Sequence, residues 1–156
     1  MRCITSAAIG LALVMAVPVH AAPAPAPAPD YQAATATLAH YKQAIESRDL
    51  SGVDALFAPD AQIFESGGIE GNFAHYRDHH LAPELKAFKS FAFRDYKVSV
   101  RGERDVAIAT ETYSYTIALP SGETVARDGV ATSVLKWTDG KWQIISLHSS
   151  SRKPKT

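Results

Sequence analysis

The sequence predicts an α+β fold, a curved antiparallel sheet packed with three N-terminal helices. Three observations predict it. Apolar residues Ala34, Leu38, Tyr41 and Ile45 recur at the spacing of one helix face. From Lys89 onward the apolar period falls to two and no helix separates the strands, which marks an antiparallel meander. Asp139-Gly140, set between two alternating runs, is a two-residue hairpin signal.

The chain has 156 residues, a length for one domain. Its first 21 residues read as a signal peptide: Met1-Arg2 supplies a positive charge, and Ile4 to Val17 is an apolar run too short for a membrane span. Small residues then frame cleavage after Ala21 or Ala22. A periplasmic or secreted protein with no membrane span after cleavage is expected. Cys3, the only cysteine, lies in that leader, so the mature chain has no disulfide and no thiolate metal site. Residues 22–30 are an Ala-Pro repeat, an extended and semi-rigid linker. Residues 31–152 form the folded domain and 153–156 a charged tail. Without Arg2 the chain carries 15 basic and 16 acidic residues, which leaves no basic stripe for nucleic acid.

Within the domain, the first helix ends at Arg48-Asp49-Leu50-Ser51. Ser51 with Asp54 three residues on has the pattern of a capping box opening a second helix. Ala58-Pro59-Asp60 stops that helix, Ala61 to Glu65 alternates as a strand, and Ser66-Gly67-Gly68 breaks it. Phe73 to Phe88 reads as a third helix, interrupted at Pro83 by a kink or divided there into two short helices. Strands follow over Phe91 to Val100, Val106 to Leu119, Thr124 to Trp137 and Trp142 to Ser150.

The stretches YKQAIESRDLSGVDALFAPDAQIFESGG and DGKWQIISLHSSSR resemble the nuclear transport factor 2-like superfamily. It includes ketosteroid isomerase and SnoaL-type polyketide cyclases, and the resemblance covers Tyr31 to Arg152. It implies a cone, in which the helices leave a hollow over the bent sheet, and one fold that carries many functions. A small-molecule ligand is then the expected partner and no cofactor is expected. The resemblance also places Glu65 where ketosteroid isomerase has its general base, and Tyr41 where it has a tyrosine that donates to the oxyanion. A carboxylate in an apolar cavity is a usable base, and a phenol opposite it stabilises an enolate. Taken on its own, Tyr41 reads first as a core tyrosine with a satisfied hydroxyl. The second, protonated acid of that enzyme has no counterpart in Val130 to Val134, so steroid isomerisation is rejected. An isomerase, cyclase or dehydratase using Glu65 and a plain ligand-binding protein both stay open.

Phe64, Tyr76, His80, Trp142 and His148 are the other candidate pocket residues, His148 being placed on one face with Trp142 and Ile144. His75 and His79 share a helix face and can reach one ion. A site built from Glu65, His79 or His80, and His148 has nitrogen and oxygen ligands suited to zinc, copper or nickel, in an envelope metal-binding protein. Val98, Val100, Ala107 and Ala109 are candidates for an outer sheet face through which members of the superfamily form homodimers.

Overall fold

The structure, a computed structural model, describes residues 29–155. The predicted leader and all but the last two residues of the Ala-Pro linker lie outside the described residues. After a short 3₁₀ turn (Tyr31–Ala33), helix α1 (Ala34–Ser47) buries Ala34, Leu38, Tyr41 and Ala44 against the sheet, with Ile45 half-buried beside them. The helix ends on Arg48, which sits in the left-handed region (φ 58°) and sends its guanidinium to the carbonyl of Phe88 at 2.6 Å.

The second predicted helix is a single 3₁₀ turn, Val53–Leu56. No capping box forms. Asp49 instead accepts a hydrogen bond from the Ser51 amide at 2.9 Å, closing an Asx turn. Gly52 then turns the chain with φ 77°. Strand β1 (Phe57–Glu65) begins directly after, earlier than the sequence suggests, because Phe57 is needed in the core, where its ring stacks on Phe73 at 3.8 Å. Tertiary packing overrides the local signal.

A Ser66-Gly67 turn with both φ angles positive leads into β2 (Gly68–Gly71), a short strand that the run of small residues hid. Asn72 caps α2 (Phe73–Tyr76) by accepting from the His75 amide at 2.9 Å. A π-helical turn (Arg77–Leu81) and α3 (Ala82–Ala87) follow without a break in direction. The segment is thus divided, as one of the two expectations had it, into two short α-helices, with Pro83 in the first turn of the second. Proline lacks an amide hydrogen and crowds the carbonyl four residues back, and the wider π turn just before it absorbs the misfit.

The other strands are β3 (Ser90–Glu103), β4 (Val106–Ala118), β5 (Thr124–Thr138) and β6 (Lys141–Arg152). They form the predicted antiparallel meander, and Asp139 and Gly140 (φ 52° and 79°) make the predicted tight hairpin. The complete sheet order is β2-β1-β6-β5-β4-β3, with β1 parallel to β6.

Two bulges bend this sheet and set which side chains face the helices. In β3, Asp95 (φ 53°) lies between the pairs Arg94–Ser114 and Lys97–Thr112. In β6, Val134 pairs with Ser146 but Leu135 pairs with Ile144, so Ile145 is extra and the parity reverses. Trp142 and Ile144 therefore share the inner face with Leu147 and Ser149, and His148 turns to the outer face. Trp142 lies at the closed end of the core, its indole nitrogen donating to the Asp30 carbonyl at 3.0 Å and its ring beside Trp137 and Tyr31. Val98, Val100, Ala107 and Ala109 are also inward. The two alanines are fully buried and the valines pack on the core, so this quartet is not an outer dimer face.

The β6 bulge makes a test of parity. Leu147→Ala is expected to cost about 2–5 kcal/mol of stability, whereas His148→Ala stays within about 0.5 kcal/mol of wild type. Urea denaturation of the two variants reads the difference, and equal effects would contradict the reversed register.

Candidate functional site

Between α1, the helical residues 73–87 and the concave face of the sheet lies a cavity of about 130 Å³. At roughly 30 Å³ of liquid per water, that is room for about four waters. Its walls are aromatic: Phe88, Phe91, Phe93, Tyr96, Tyr113 and Tyr115 line it together with Ile45, Leu81 and Leu85. Phe93 meets Tyr113 edge to face at 4.9 Å, and Phe91 stacks on Tyr115 at 5.0 Å.

One register row carries the polar groups across the floor. Glu65 pairs with Ser149, Ser149 with Ala131, Ala131 with Glu111, and Glu111 with Val98. Every member of that row faces the helices, so two carboxylates stand on opposite sides of a floor made of alanine and serine. Glu65 ends β1 and accepts a hydrogen bond of 2.7 Å from the Tyr76 hydroxyl. Glu111 is buried and accepts from the hydroxyls of Tyr96 and Ser133, the latter at 3.1 Å. Burial pushes the Glu111 carboxyl above the usual range, against the pull of those two bonds. Tyr41 is buried, and desolvation with the nearby Glu65 and Glu111 charges holds its phenol well above the ordinary value. Burial, then the neighbouring Tyr41 and Glu65, does the same to Tyr76. Both phenols therefore stay protonated and act as donors.

Of the residues singled out in the sequence, Glu65, Tyr41 and Tyr76 line the cavity. The phenol bonded to Glu65 is Tyr76, not Tyr41. Phe64 points away, because strand alternation sets it opposite Ile63 and Glu65. It pairs with His148 on the outer face, their rings 6.2 Å apart. Trp142 closes the far end of the core and does not line the cavity. His80 sits behind the cavity wall, its ring 5.2 Å from Tyr76, with the carboxylates of Glu70 and Glu84 each 3.3 Å away.

The four histidines do not converge. His75 and His79 lie against each other in solvent with rings 4.5 Å apart, His80 faces carboxylates, and His148 is on the other side of the sheet. Among the described residues, no group of three or more His, Cys, Asp and Glu side chains is disposed to hold a metal ion.

The residue that sequence reasoning missed is Glu111. The acid absent from Val130 to Val134 stands one strand over, directly opposite Ala131. Its signal was present: Ala107, Ala109, Glu111 and Tyr113 alternate in the inward phase of β4, and an acid in an apolar phase is a buried polar group.

Comparison with known proteins agrees with this geometry. The SnoaL-like domain family matches residues 34–153. No curated protein matches the chain significantly by sequence. Among solved structures, a nuclear transport factor 2-like superfamily protein from Salmonella enterica serovar Typhimurium superposes with a TM-score of 0.70 at 20% identity, over 81% of this chain and 92% of that one. An uncharacterised Caulobacter vibrioides protein with a cystatin-like fold gives 0.67 at 19% identity, over 79% and 89%. A type 2 hexachlorocyclohexane dehydrochlorinase gives 0.67 at 12% identity, over 78% and 84%. These likenesses establish the architecture as that of nuclear transport factor 2-like folds, and the family match extends over most of the domain: the chain belongs to the SnoaL-like family.

Proposed function

We propose that the protein binds a small, partly apolar ring molecule in this cavity and acts on it with Glu65 as general base, in an isomerisation or elimination. The observation that carries the reading is the Glu65 carboxylate at the cavity wall, hydrogen-bonded by Tyr76 and facing a space lined by Tyr41 and Glu111. At about 130 Å³ the cavity is smaller than most small-molecule pockets and close in size to an apolar cavity of about 150 Å³ that takes up benzene. A single ring fits that space, and the second ring of a two-ring compound extends through its open side.

The chemistry follows from the positions. Glu65 takes a proton from a carbon beside a carbonyl, so a C–H bond breaks and an O–H bond forms. The electron pair moves to the carbonyl oxygen. Tyr41, kept neutral by burial, donates a hydrogen bond to the charge that develops there, and burial favours the protonated form of Glu111, the form in which it adds a second donor. Returning the proton at another carbon isomerises the molecule, and loss of a leaving group eliminates it. A hexachlorocyclohexane dehydrochlorinase shares this architecture, which makes elimination on a ring compatible with such a scaffold. Binding without turnover is the second reading, supported by the same aromatic walls.

The proposal also includes export, with the leader removed, and a homodimer through the outer sheet face, where Phe64 lies and Val130 is exposed. Intact mass of the periplasmic protein is expected to show cleavage after Ala21 or Ala22, and light scattering a dimer. A full-length or monomeric species would contradict these two points.

Proton abstraction is tested with β-tetralone, a neutral two-ring ketone, by following deuterium incorporation beside its carbonyl in heavy water. Wild type is expected to accelerate exchange, and Glu65→Gln to lower the rate by about 10²–10⁴-fold while ketone affinity changes little. Binding with no exchange would leave the second reading standing, and neither binding nor exchange would end both for this ligand class.

Glu111 gives a test that needs no ligand. Its proton is held more tightly in the folded state, so the neutral form's stability is present below the ordinary glutamate range and is lost as pH rises through the raised value. Thermal unfolding of Glu111→Gln is therefore expected to gain on wild type as pH increases from about 4 to about 8. A gap that does not change with pH would remove Glu111 as a protonated donor.

A further inference from the structure

His80 lies among carboxylates from three separate elements. Its Nδ1 is 3.3 Å from Glu70 on β2, and its Nε2 is 3.3 Å from Glu84 on α3 and 4.0 Å from Glu65 on β1. The fourth titratable neighbour is Tyr76 on α2, with its ring 5.2 Å away. The π turn keeps Tyr76, His80 and Glu84, spaced four apart, on one side of the segment, as in a regular helix, facing β1 and β2.

Two of the three carboxylates, Glu65 and Glu84, line the cavity. Three like charges at this separation repel one another unless a cation sits between them. We propose that His80, as the imidazolium, is a positioning residue that holds Glu65 and Glu84 in the cavity wall, so that the seat of the base follows the charge on one rim imidazole. The inference rests on reading the cavity as the binding site, but nothing in its test depends on a ligand.

The charge on His80 is supported by its surroundings. Partial burial opposes the charged form, but the hydrogen bond to Glu70 and the charges of Glu84, Glu65 and Glu70 outweigh it and lift the imidazole above its ordinary value. With a raised value in the folded state, the clamp is fully present below the ordinary histidine range and is lost as pH rises through the raised one. The imidazole is about a third exposed at 31%, so the clamp opens to solvent protons without unfolding.

The experiment uses the methyl resonances of Leu81 and Leu85, both on the cavity wall, and the ring resonances of His80. Wild type, His80→Gln and His80→Lys are titrated from about pH 5 to about pH 9, the range that brackets an imidazole. In wild type the methyls are expected to move with the midpoint of the His80 ring. In His80→Gln they stay at the high-pH position of wild type, and in His80→Lys, charged throughout, at the low-pH one. Methyls that ignore the His80 titration, or move equally in His80→Gln, would overturn the proposal.

Thermal unfolding adds a second reading should the lysine variant fail to fold. His80→Gln is expected to fall below wild type at about pH 5.5 and to match it by about pH 9. An equal deficit at both would mark a mere packing role and sink the clamp. These results stand apart from β-tetralone turnover: a protein that neither binds nor exchanges the ketone still reports whether His80 moves the wall.

Discussion

One extra residue, Ile145, decides what the cavity is made of. Without the bulge in β6, strict alternation from Trp142 and Ile144 would aim Ser146 and His148 at the helices and turn Leu147 and Ser149 outward. With it, Leu147 joins the core and Ser149 takes its place between Glu65 and Ala131. The floor of the hollow is thus two small side chains flanked by two acids. Adjacent strands lie about 4.8 Å apart, so Glu65 and Glu111, three strands apart, would stand roughly 14 Å from each other in a flat sheet. The sheet is bent by its bulges, which tips both carboxylates over the same concave space. Larger residues at 131 and 149 would fill that space, and the aromatic walls would close on themselves.

Stability alone gives no reason for this arrangement. Burying Glu111 works against the fold, and its two hydroxyl partners offset only part of the desolvation. Along the same inward phase of β4, Ala107 and Ala109 are fully buried and apolar, as a core demands. The break in that pattern falls at the point where the core gives way to the cavity. Functional sites are where a sequence departs from the rules that build its fold, and Glu111 is such a departure. Lys42 is another: its ammonium pairs with Glu46 at 2.6 Å and lies 5.4 Å from the centre of the Phe93 ring, while the other Glu46 oxygen accepts from the Phe93 amide. That pairing ties α1 to the aromatic wall and leaves the cavity with no unpaired cation among its lining residues.

Much of this was legible in the residues, and the failures have a common cause. The helical face of Ala34, Leu38 and Tyr41, the meander, the Asp139-Gly140 hairpin and the shared face of Ile63 and Glu65 all follow from periodicity and turn chemistry, which are local. What escaped is non-local. Trp142 and His148 were set on one face because alternation carries no mark of a bulge, and Val98, Val100, Ala107 and Ala109 offer two faces of equal apolarity until a helix covers one. The second helix became one 3₁₀ turn because Phe57 had to reach Phe73. The π turn is a response to Pro83 that a kink would equally have satisfied. Glu111 differs, since its acid in an apolar phase is visible in the sequence; the resemblance points instead to β5, one strand away, where Ala131 lies opposite it.

The charges in the cavity also say what kind of molecule it suits. Glu65 and Glu84 present carboxylates to the space, and the nearest cations, Lys42 and His80, are already engaged. An anionic ligand about 6 Å from one such charge meets a repulsion of about 3 kcal/mol at an effective dielectric constant near 20, more than a hundredfold in affinity. A neutral carbon acid avoids that cost. When Glu65 takes its proton, the negative charge moves from the carboxylate to the oxygen of the ligand, and the total in the cavity does not change. The protonated phenol of Tyr41 then has an anion to bond where there was none in the ground state. Stabilisation that arises only as charge migrates is what lowers a barrier rather than merely tightening binding. A cavity holding one working carboxylate and neutral donors is matched to a neutral substrate that becomes charged only on the way to its product.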